Sequence, residues 1–277
     1  MTDRSLSVIM SVYYKEKPEY LELAMNSIWS VQSLKPTQII LIEDGELTDE
    51  LNSVIKKWKE ALEDILLIHK NKTNVGLTKS LNIGINNATG KYIARMDSDD
   101  VSVSGRFIKQ VEYLEKHKDY SVVGSLAQEI DEEGNYTNIR TYPITDEEVR
   151  NYICKACPLQ HAGVMFNREI FDSGIRYNED YRLTQDLALW FTILTAGYKI
   201  GNIPECLIQF RITQDSFISR DKSKGLHEFK IYMKGIMQLK GVTWRYVYPL
   251  SRIIMRYMPP TLIKTIYNSP LRKLILK

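Results

Sequence analysis

Residues Leu6–Tyr13 (LSVIMSVY) are apolar at nearly every position, the pattern of a parallel strand covered by helices on both faces. Pro18-Glu19 then opens a segment whose Leu21, Leu23, Ala24, Ile28 and Trp29 recur at helical spacing. Gln38–Ile42 reads as a second strand ending at Glu43-Asp44-Gly45, Asp49–Leu62 as a helix, and Ile65–His69 as a third strand. A turn at Asn74-Val75-Gly76 precedes a helix over Thr78–Asn87. Ala88-Thr89-Gly90 stops that helix, and Lys91–Met96 forms the fourth strand. Strands alternating with helices in this way predict an α/β fold with an open, largely parallel sheet and right-handed crossovers.

The pattern loosens in the second half. Ser121–Ile130 has strand character, Gly134-Asn135 marks a turn, and His161–Phe166 and Ile203–Arg211 read as further strands. Gln185–Ala196, with Leu187, Leu189, Trp190, Ile193 and Leu194, predicts an amphipathic helix. No internal repeat or low-complexity linker interrupts the chain.

Polar residues collect where the strands stop. The first, second and fourth end in Tyr14-Lys15-Glu16, Glu43-Asp44 and Asp97-Ser98-Asp99-Asp100. In a parallel sheet these carboxyl ends share one edge, the edge at which ligands bind. Three carboxylates within four residues repel one another unless a cation or solvent screens them. A solvated acidic turn is one reading. A cation site is the other, and the buried-looking strand leading into the cluster favours it. Hard oxygen donors suit Mg²⁺ or Mn²⁺ completed by phosphate oxygens and water. Lys79 and Arg95 would add positive charge to the same anion, although Arg95 inside a strand serves equally as an ion-pair partner. Glu43 or Asp44 suits a uracil N–H or a ribose hydroxyl, or simply the turn before Gly45. Asp186 at a helix start either favours the macrodipole or acts on a substrate. Neither Gly-x-Gly-x-x-Gly after the first strand nor a Gly-Lys-Ser/Thr loop occurs, which argues against dinucleotide redox chemistry and P-loop hydrolysis.

Composition adds a charge asymmetry. The chain has 277 residues and a formal net charge of +3, yet from Lys222 onward 12 Lys and Arg face the single acid Glu228. The preceding residues carry 25 basic and 33 acidic side chains. The division is therefore a body over 1–221 and a basic extension over 222–277. In the extension Trp244, Tyr246, Tyr248, Tyr257 and Tyr267 interleave with Arg245, Arg252, Arg256, Lys264, Arg272 and Lys273, and Leu250, Ile253, Ile254 and Tyr257 share a helical face. After Pro259-Pro260 the pattern repeats through Leu262, Ile263, Ile266 and Tyr267. Basic amphipathic helices with aromatic residues fit a membrane surface, with packing on the body as the alternative. Aromatics with arginine also suit single-stranded nucleic acid, but nothing upstream supports that partner. Met1-Thr-Asp-Arg-Ser shows no leader, and no run of about 18 apolar residues exists to span a bilayer. Three cysteines are too few for a disulfide framework, so a reducing cytoplasm is expected. Cys154-x-x-Cys157 near His161 lacks the second ligand pair of a zinc site.

Taken in order, Ser7-Val-Ile-Met-Ser-Val-Tyr13, Ile39–Gly45, Asn74-Val-Gly-Leu-Thr-Lys-Ser-Leu-Asn82 and Ala94-Arg-Met-Asp-Ser-Asp-Asp100 resemble glycosyltransferase family 2 across roughly residues 5–215. The resemblance implies a GT-A fold and inverting transfer from a nucleotide sugar. It assigns Tyr13, Glu16, Glu43 and Asp44 to the uridine, with Asn74, Gly76, Lys79 and Arg95 on the same donor side. Asp97 falls to ribose and metal, Asp99 to Mn²⁺ or Mg²⁺, and Asp100 to a supporting role. Glu43 stands where an Asp is usual and Tyr14 where an Asn is common. The family's base is an acid in a pair opening a downstream helix; Gln185 replaces the first acid and Asp186 holds the base position. His161, Gln185, Trp190 and Arg211 match the acceptor or diphosphate side, with a core histidine the alternative for His161. The pattern with its basic tail resembles O-antigen and capsule enzymes. It implies a UDP-hexose donor, glucose or galactose first, and an acceptor of the GlcNAc-diphospho-undecaprenol type at the inner face of the cell membrane. A nucleotide-sugar-binding protein without transfer activity and a sugar nucleotidyltransferase are the alternatives.

Overall fold

The computed structural model describes residues 3–181, 183–213 and 222–257. Among the described residues, nine strands form one mixed sheet. The predicted parallel half is present as β1 (Leu6–Val12), β2 (Gln38–Glu43), β3 (Leu66–Lys70) and β4 (Tyr92–Asp97), in the spatial order β3-β2-β1-β4. The helices between them are α1 (Pro18–Trp29), α2 (Asp49–Leu62) and α3 (Leu77–Asn87). All of these lie within a residue or two of the boundaries that periodicity predicts.

Beyond β4 the sheet continues through β8 (Met165–Asn167), β6 (Tyr120–Ile130), β9 (Lys199–Arg211) and the short β5 (Val101–Ser102), with β7 (Tyr136–Arg140) also on β6. β6 and β9 run parallel, whereas β8, β5 and β7 pair antiparallel with their neighbours. The expected strand over His161–Phe166 is corrected. Residues His161–Gly163 form a single 3-10 turn and only the following segment is strand. The Gly163 carbonyl accepts from the Gln110 amide at 2.8 Å instead of from a neighbouring strand. Gln110 belongs to α4 (Arg106–Lys116), which, like α5 (Asp146–Tyr152) and the one-turn α6 (Glu169–Asp172), went unanticipated.

Strand alternation divides the core into two layers. Val8, Met10, Ile39, Leu41, Tyr92, Ala94 and Met96 pack on the α1, α2 and α4 side, whereas Ile9, Ile40, Ile42 and Ile93 face α3 and α7 (Gln185–Thr195). Continuing the second set along each strand reaches Ser11 and Tyr13, Asp44, and Arg95 and Asp97. Side-chain parity therefore aims these residues at one side of the carboxyl edge.

α7 is more deeply buried than an amphipathic helix lying on a sheet. Leu187, Ala188, Leu189, Trp190, Phe191, Ile193 and Leu194 are all buried. Its outer face is covered by α8 (Lys222–Lys240), which inserts Ile231, Tyr232 and Ile236 into the same apolar cluster. Gly235 permits that approach, because a Cβ there would stand 2.3 Å from the Phe191 ring. α9 (Val247–Tyr257) then folds back so that the Arg252 guanidinium donates to Glu228 at 2.7 Å and to the Tyr232 hydroxyl at 3.0 Å. Val247, Leu250 and Ile254 of α9 remain exposed, as does Trp244 before it. The predicted helix around Leu262–Tyr267 lies outside the described residues. No helix among the described residues is long and apolar enough to cross a membrane.

Candidate active site

An open cavity of about 400 Å³ lies at the carboxyl edge, lined by Ser11, Tyr13, Glu16, Asp44, Asn74, Gly76, Leu77, Asp97, Ser98 and Asp99. Three strand ends and the start of α3 meet there. Six of the predicted donor-side residues and the leading metal candidate Asp99 share this one space. Ser11 and Ser98 were not foreseen. Ser11 pairs with Asp97 across β1 and β4, a neighbour relation that only strand register reveals. Ser98 donates to Glu16 at 2.6 Å and ties the first loop to the acidic turn.

Asp44 builds the opposite wall. One carboxylate oxygen accepts from the Val75 amide at 2.8 Å and the Asn71 side chain at 3.0 Å, and the other from the Gly76 amide at 2.9 Å. The Asn74 amide group in turn donates to the Asp44 carbonyl at 3.2 Å. Gly76 holds φ 90° and ψ 158°, a conformation open essentially to glycine alone. Asp44 therefore shapes the loop that α3 starts from.

The acidic cluster is compact. Oxygens of Asp97, Asp99 and Asp100 lie within 4.8 Å of one another, the single such grouping of potential metal ligands among the described residues. Burial, with Asp97 and Glu16 close by, raises the Asp99 pKa to about 7. Asp100 is fully buried, and burial together with Asp99 and Asp97 pushes it well above the carboxylate range. One of its oxygens accepts from the Arg211 backbone amide at 2.8 Å, while the other has no hydrogen-bond partner. Crowded, desolvated carboxylates with an unsatisfied oxygen suit a hard divalent cation, so these residues fit Mn²⁺ or Mg²⁺.

Several predicted site residues turn out to be supports. Glu43 has the opposite strand parity to Asp44; it is buried, pairs with Lys70 at 2.9 Å and stays out of the cavity. Lys79 points to Glu179 at 4.0 Å, also outside. Buried Arg95 is the ion-pair partner of Asp97, as one sequence reading had it. Arg211, matched to the acceptor or diphosphate side, clamps backbone beside the acidic turn. Its guanidinium donates to the carbonyls of Asp99, Asp131 and Glu132 at 2.9, 2.9 and 3.0 Å and lies over the Tyr20 ring. Trp190 is likewise a core residue, fully buried and stacked on Phe166. His161 shares a 2.6 Å hydrogen bond with Tyr177, and burial, assisted by Arg95, holds its pKa well below the usual histidine range. A neutral, packed histidine follows.

Asp186 occupies the first turn of α7, after Thr184 in a left-handed conformation at φ 60° that is uncommon for a β-branched residue. The preceding loop is bolted to α3: Thr78 donates to the Tyr181 carbonyl at 2.7 Å, and Asn82 both donates to the Tyr177 carbonyl at 2.9 Å and accepts from its amide at 3.0 Å. α3 begins in the cavity wall, so this bracing joins the segment before α7 to that wall, while Asp186 itself is not among the residues that line the cavity. Buried Gln185 stands beside Asp186. The Cys157 thiol donates to the Asp186 carboxylate at 3.4 Å. Burial, reinforced by Asp186, keeps that thiol protonated, which makes it a lasting if weak donor. The CxxC segment thus serves a carboxylate; Cys154 and Cys157 are both free.

The sequence profile described as Glycosyl transferase family 2 matches residues 7–174. The chain belongs to glycosyltransferase family 2. Among curated members it is 30% identical over 268 residues to the amylovoran biosynthesis glycosyltransferase AmsE of Erwinia amylovora, covering 95% of this chain and 97% of that one. It is 29% identical over 278 residues to the UDP-Gal:alpha-D-GlcNAc-diphosphoundecaprenol beta-1,3-galactosyltransferase of Escherichia coli, covering 97% of each. The fold is GT-A. It superposes on the mannosyltransferase PcManGT of Pyrobaculum calidifontis, a complex with GDP-Man and Mn²⁺, with a TM-score of 0.65 at 15% identity over 98% of this chain and 83% of the other.

For this transferase the loop held by Asp44 gives a direct expectation. Asp44→Ala strands two backbone amides in a nearly buried wall, which costs about 1–3 kcal/mol. Urea unfolding will show a lower midpoint at unchanged slope. An unaltered midpoint would mean that water replaces the carboxylate without loss.

Proposed function

We propose that this family 2 enzyme is an inverting hexosyltransferase. It takes glucose or galactose from a UDP-sugar and attaches it to a hydroxyl of a saccharide carried on a lipid diphosphate, as in GlcNAc-diphospho-undecaprenol, during O-antigen or capsule synthesis. The observation that carries the reading is the convergence of Asp97 and Asp99 on a cavity also walled by Tyr13, Asp44, Asn74 and Gly76. The galactosyltransferase relative of similar length supports both the donor and the acceptor class.

The chemistry follows from the charges. A sugar hydroxyl is a weak nucleophile, so Asp186 takes its proton as the new bond forms. Departure of UDP leaves oxocarbenium character on the anomeric carbon, and attack from the opposite face inverts it. Asp97 and Asp99 would hold Mn²⁺ or Mg²⁺, which when bound supplies positive charge to the diphosphate leaving group. Tyr13, with one face open, and the rigid Asn74–Gly76 loop shape the space for the nucleoside. Cys157 and the braced loop before α7 orient Asp186.

A donor screen tests the reading. UDP release from UDP-glucose or UDP-galactose should require Mn²⁺ or Mg²⁺ and rise on adding a GlcNAc-diphospho-lipid. Pyrophosphate release from UTP would instead mark a nucleotidyltransferase, and UDP binding without turnover on any acceptor would leave a binding protein. The exposed Trp244, Val247, Leu250 and Ile254 beside Arg245 and Arg252 support peripheral attachment at the inner membrane face. Truncation after Thr243 is expected to move the protein from sedimenting vesicles of phosphatidylglycerol to the supernatant. Unchanged partitioning would end the membrane assignment.

A further inference from the structure

A second open cleft, of about 550 Å³, shares no lining residue with the donor cavity. One wall is the segment after β7 with Tyr142, another is the end of α5 with Asn151, Tyr152 and Lys155, and the third is Arg245 and Tyr248 from the C-terminal segment. Three tyrosines offer ring faces and hydroxyls of the kind that pack against a pyranose. The cations suit phosphate. Arg245 is held in place by neutral groups, donating to the Asn151 carbonyl at 3.1 Å and its side-chain oxygen at 2.9 Å. Lys155 lies 5.1 Å from the Tyr152 ring centroid. The acid in the lining, Glu148, accepts from the Ile144 and Thr145 amides at 2.9 and 3.0 Å, so its charge is directed at the backbone.

The chain links the cleft to the proposed base. Lys155 precedes Cys157 by two residues, a reach of at most ~7 Å of extended chain. Cys157 contacts Asp186 at 3.4 Å. On the other side Tyr142 donates to Gln160 at 2.7 Å, next to His161. Away from the base, the wall that carries Arg245 continues into the exposed Trp244, Val247, Leu250 and Ile254. Lys155 therefore marks the end of the cleft that the chain joins to the base, and Arg245 the end that meets the apolar surface.

We propose that this cleft is the acceptor subsite, and that it takes a saccharide linked through a diphosphate to a lipid. The sugar lies against Tyr142, Tyr152 and Tyr248 with a hydroxyl toward Asp186. The diphosphate lies on Lys155 and Arg245, and the lipid leaves along the exposed apolar residues. The inference rests on the transfer reading above, and it locates the acceptor on residues that the sequence motifs do not touch.

The test uses the full chain, the UDP-sugar that gives turnover, and three probes: an alkyl-diphospho-GlcNAc in detergent, free GlcNAc, and phosphatidylglycerol vesicles without acceptor. Lys155→Gln combined with Arg245→Gln is expected to raise KM for alkyl-diphospho-GlcNAc about tenfold or more, because two charge-assisted contacts are lost. The donor KM and the weak transfer to free GlcNAc should stay within about twofold. Lys56→Gln combined with Lys57→Gln, an equal charge change on the exposed face of α2, should alter none of these. An unchanged acceptor KM with an intact donor KM would overturn the assignment, as would a loss confined to vesicle binding, which would give the two cations to the bilayer instead. If the wild type releases no UDP from any donor, the transfer reading fails, and that result is separable. Calorimetry with alkyl-diphospho-GlcNAc then still reports whether the cleft binds it.

Discussion

Asp186→Asn is expected to lower kcat by about two to four orders of magnitude, the range lost when a positioned general base is removed, while UDP binding in Mn²⁺ stays within about twofold of wild type. The substitution keeps size and polarity, so α7 retains its first turn. A purely structural role predicts something far smaller. A carboxylate in the first turn of a helix contributes about 0.3–1 kcal/mol through the macrodipole. In a chain of this size that is a fall in Tm of a few degrees and no hundredfold loss of rate. Stopped-assay UDP release and calorimetry with UDP together separate the two. A variant retaining more than about a tenth of wild-type kcat would show that another group takes the proton.

Asp99→Asn is expected to abolish the gain in UDP affinity that Mn²⁺ confers, with turnover falling to background. The same change should leave stability intact or improved when EDTA is present. In the folded protein, burial and the proximity of Asp97 and Glu16 raise the Asp99 pKa from 3.8 to about 7. A raised carboxylate pKa means that ionisation opposes folding: the cost is absent below the unfolded value, grows through the interval, and is complete above the folded value. Thermal melts in EDTA should therefore show the Asn variant gaining on wild type at pH 8 and matching it near pH 4. Adding Mn²⁺ at pH 8 should reverse the order, because the cation stabilises only the chain that binds it. A variant less stable than wild type in EDTA at pH 8 would mean that Asp99 is a structural acceptor, and the cluster would lose its reading as a cation site.

Much of this was legible before the fold was known, and the parts that were not share a physical reason. The β1 to β4 half follows from local patterning, since strands covered on both faces read as continuous apolar runs and α3 is delimited by Gly76 and Gly90. Asp97 and Asp99 could be placed because they follow a strand end. Glu43 could not be distinguished from Asp44 without fixing which face of β2 each occupies. Arg211 and Trp190 matched positions in order along the chain, yet their surroundings depend on the β5–β9 pairing and on Phe166, contacts far apart in sequence. α5 did carry a local signal, the Thr145-Asp-Glu-Glu148 capping box, which the structure shows fully formed. The all-round burial of α7 had no signal within α7 itself, because the helix that covers it comes more than 25 residues later. Tyr142 and Lys155 likewise gain meaning only from Arg245, which lies beyond the motif region altogether.

The insertion of Ile231, Tyr232 and Ile236 against α7 makes α8 a bracket, not a leash. If the proposed membrane contact and the proposed base both hold, a flexible tether would let Asp186 sample many heights above a bilayer, whereas a helix built into the core would hold it at one, with α8 alone spanning about 28 Å at 1.5 Å per residue. An enzyme mounted in that way would measure distance. Hydroxyls on the sugar nearest the lipid and hydroxyls several sugars further out differ in altitude, and a fixed mounting would accept only one storey of a growing chain.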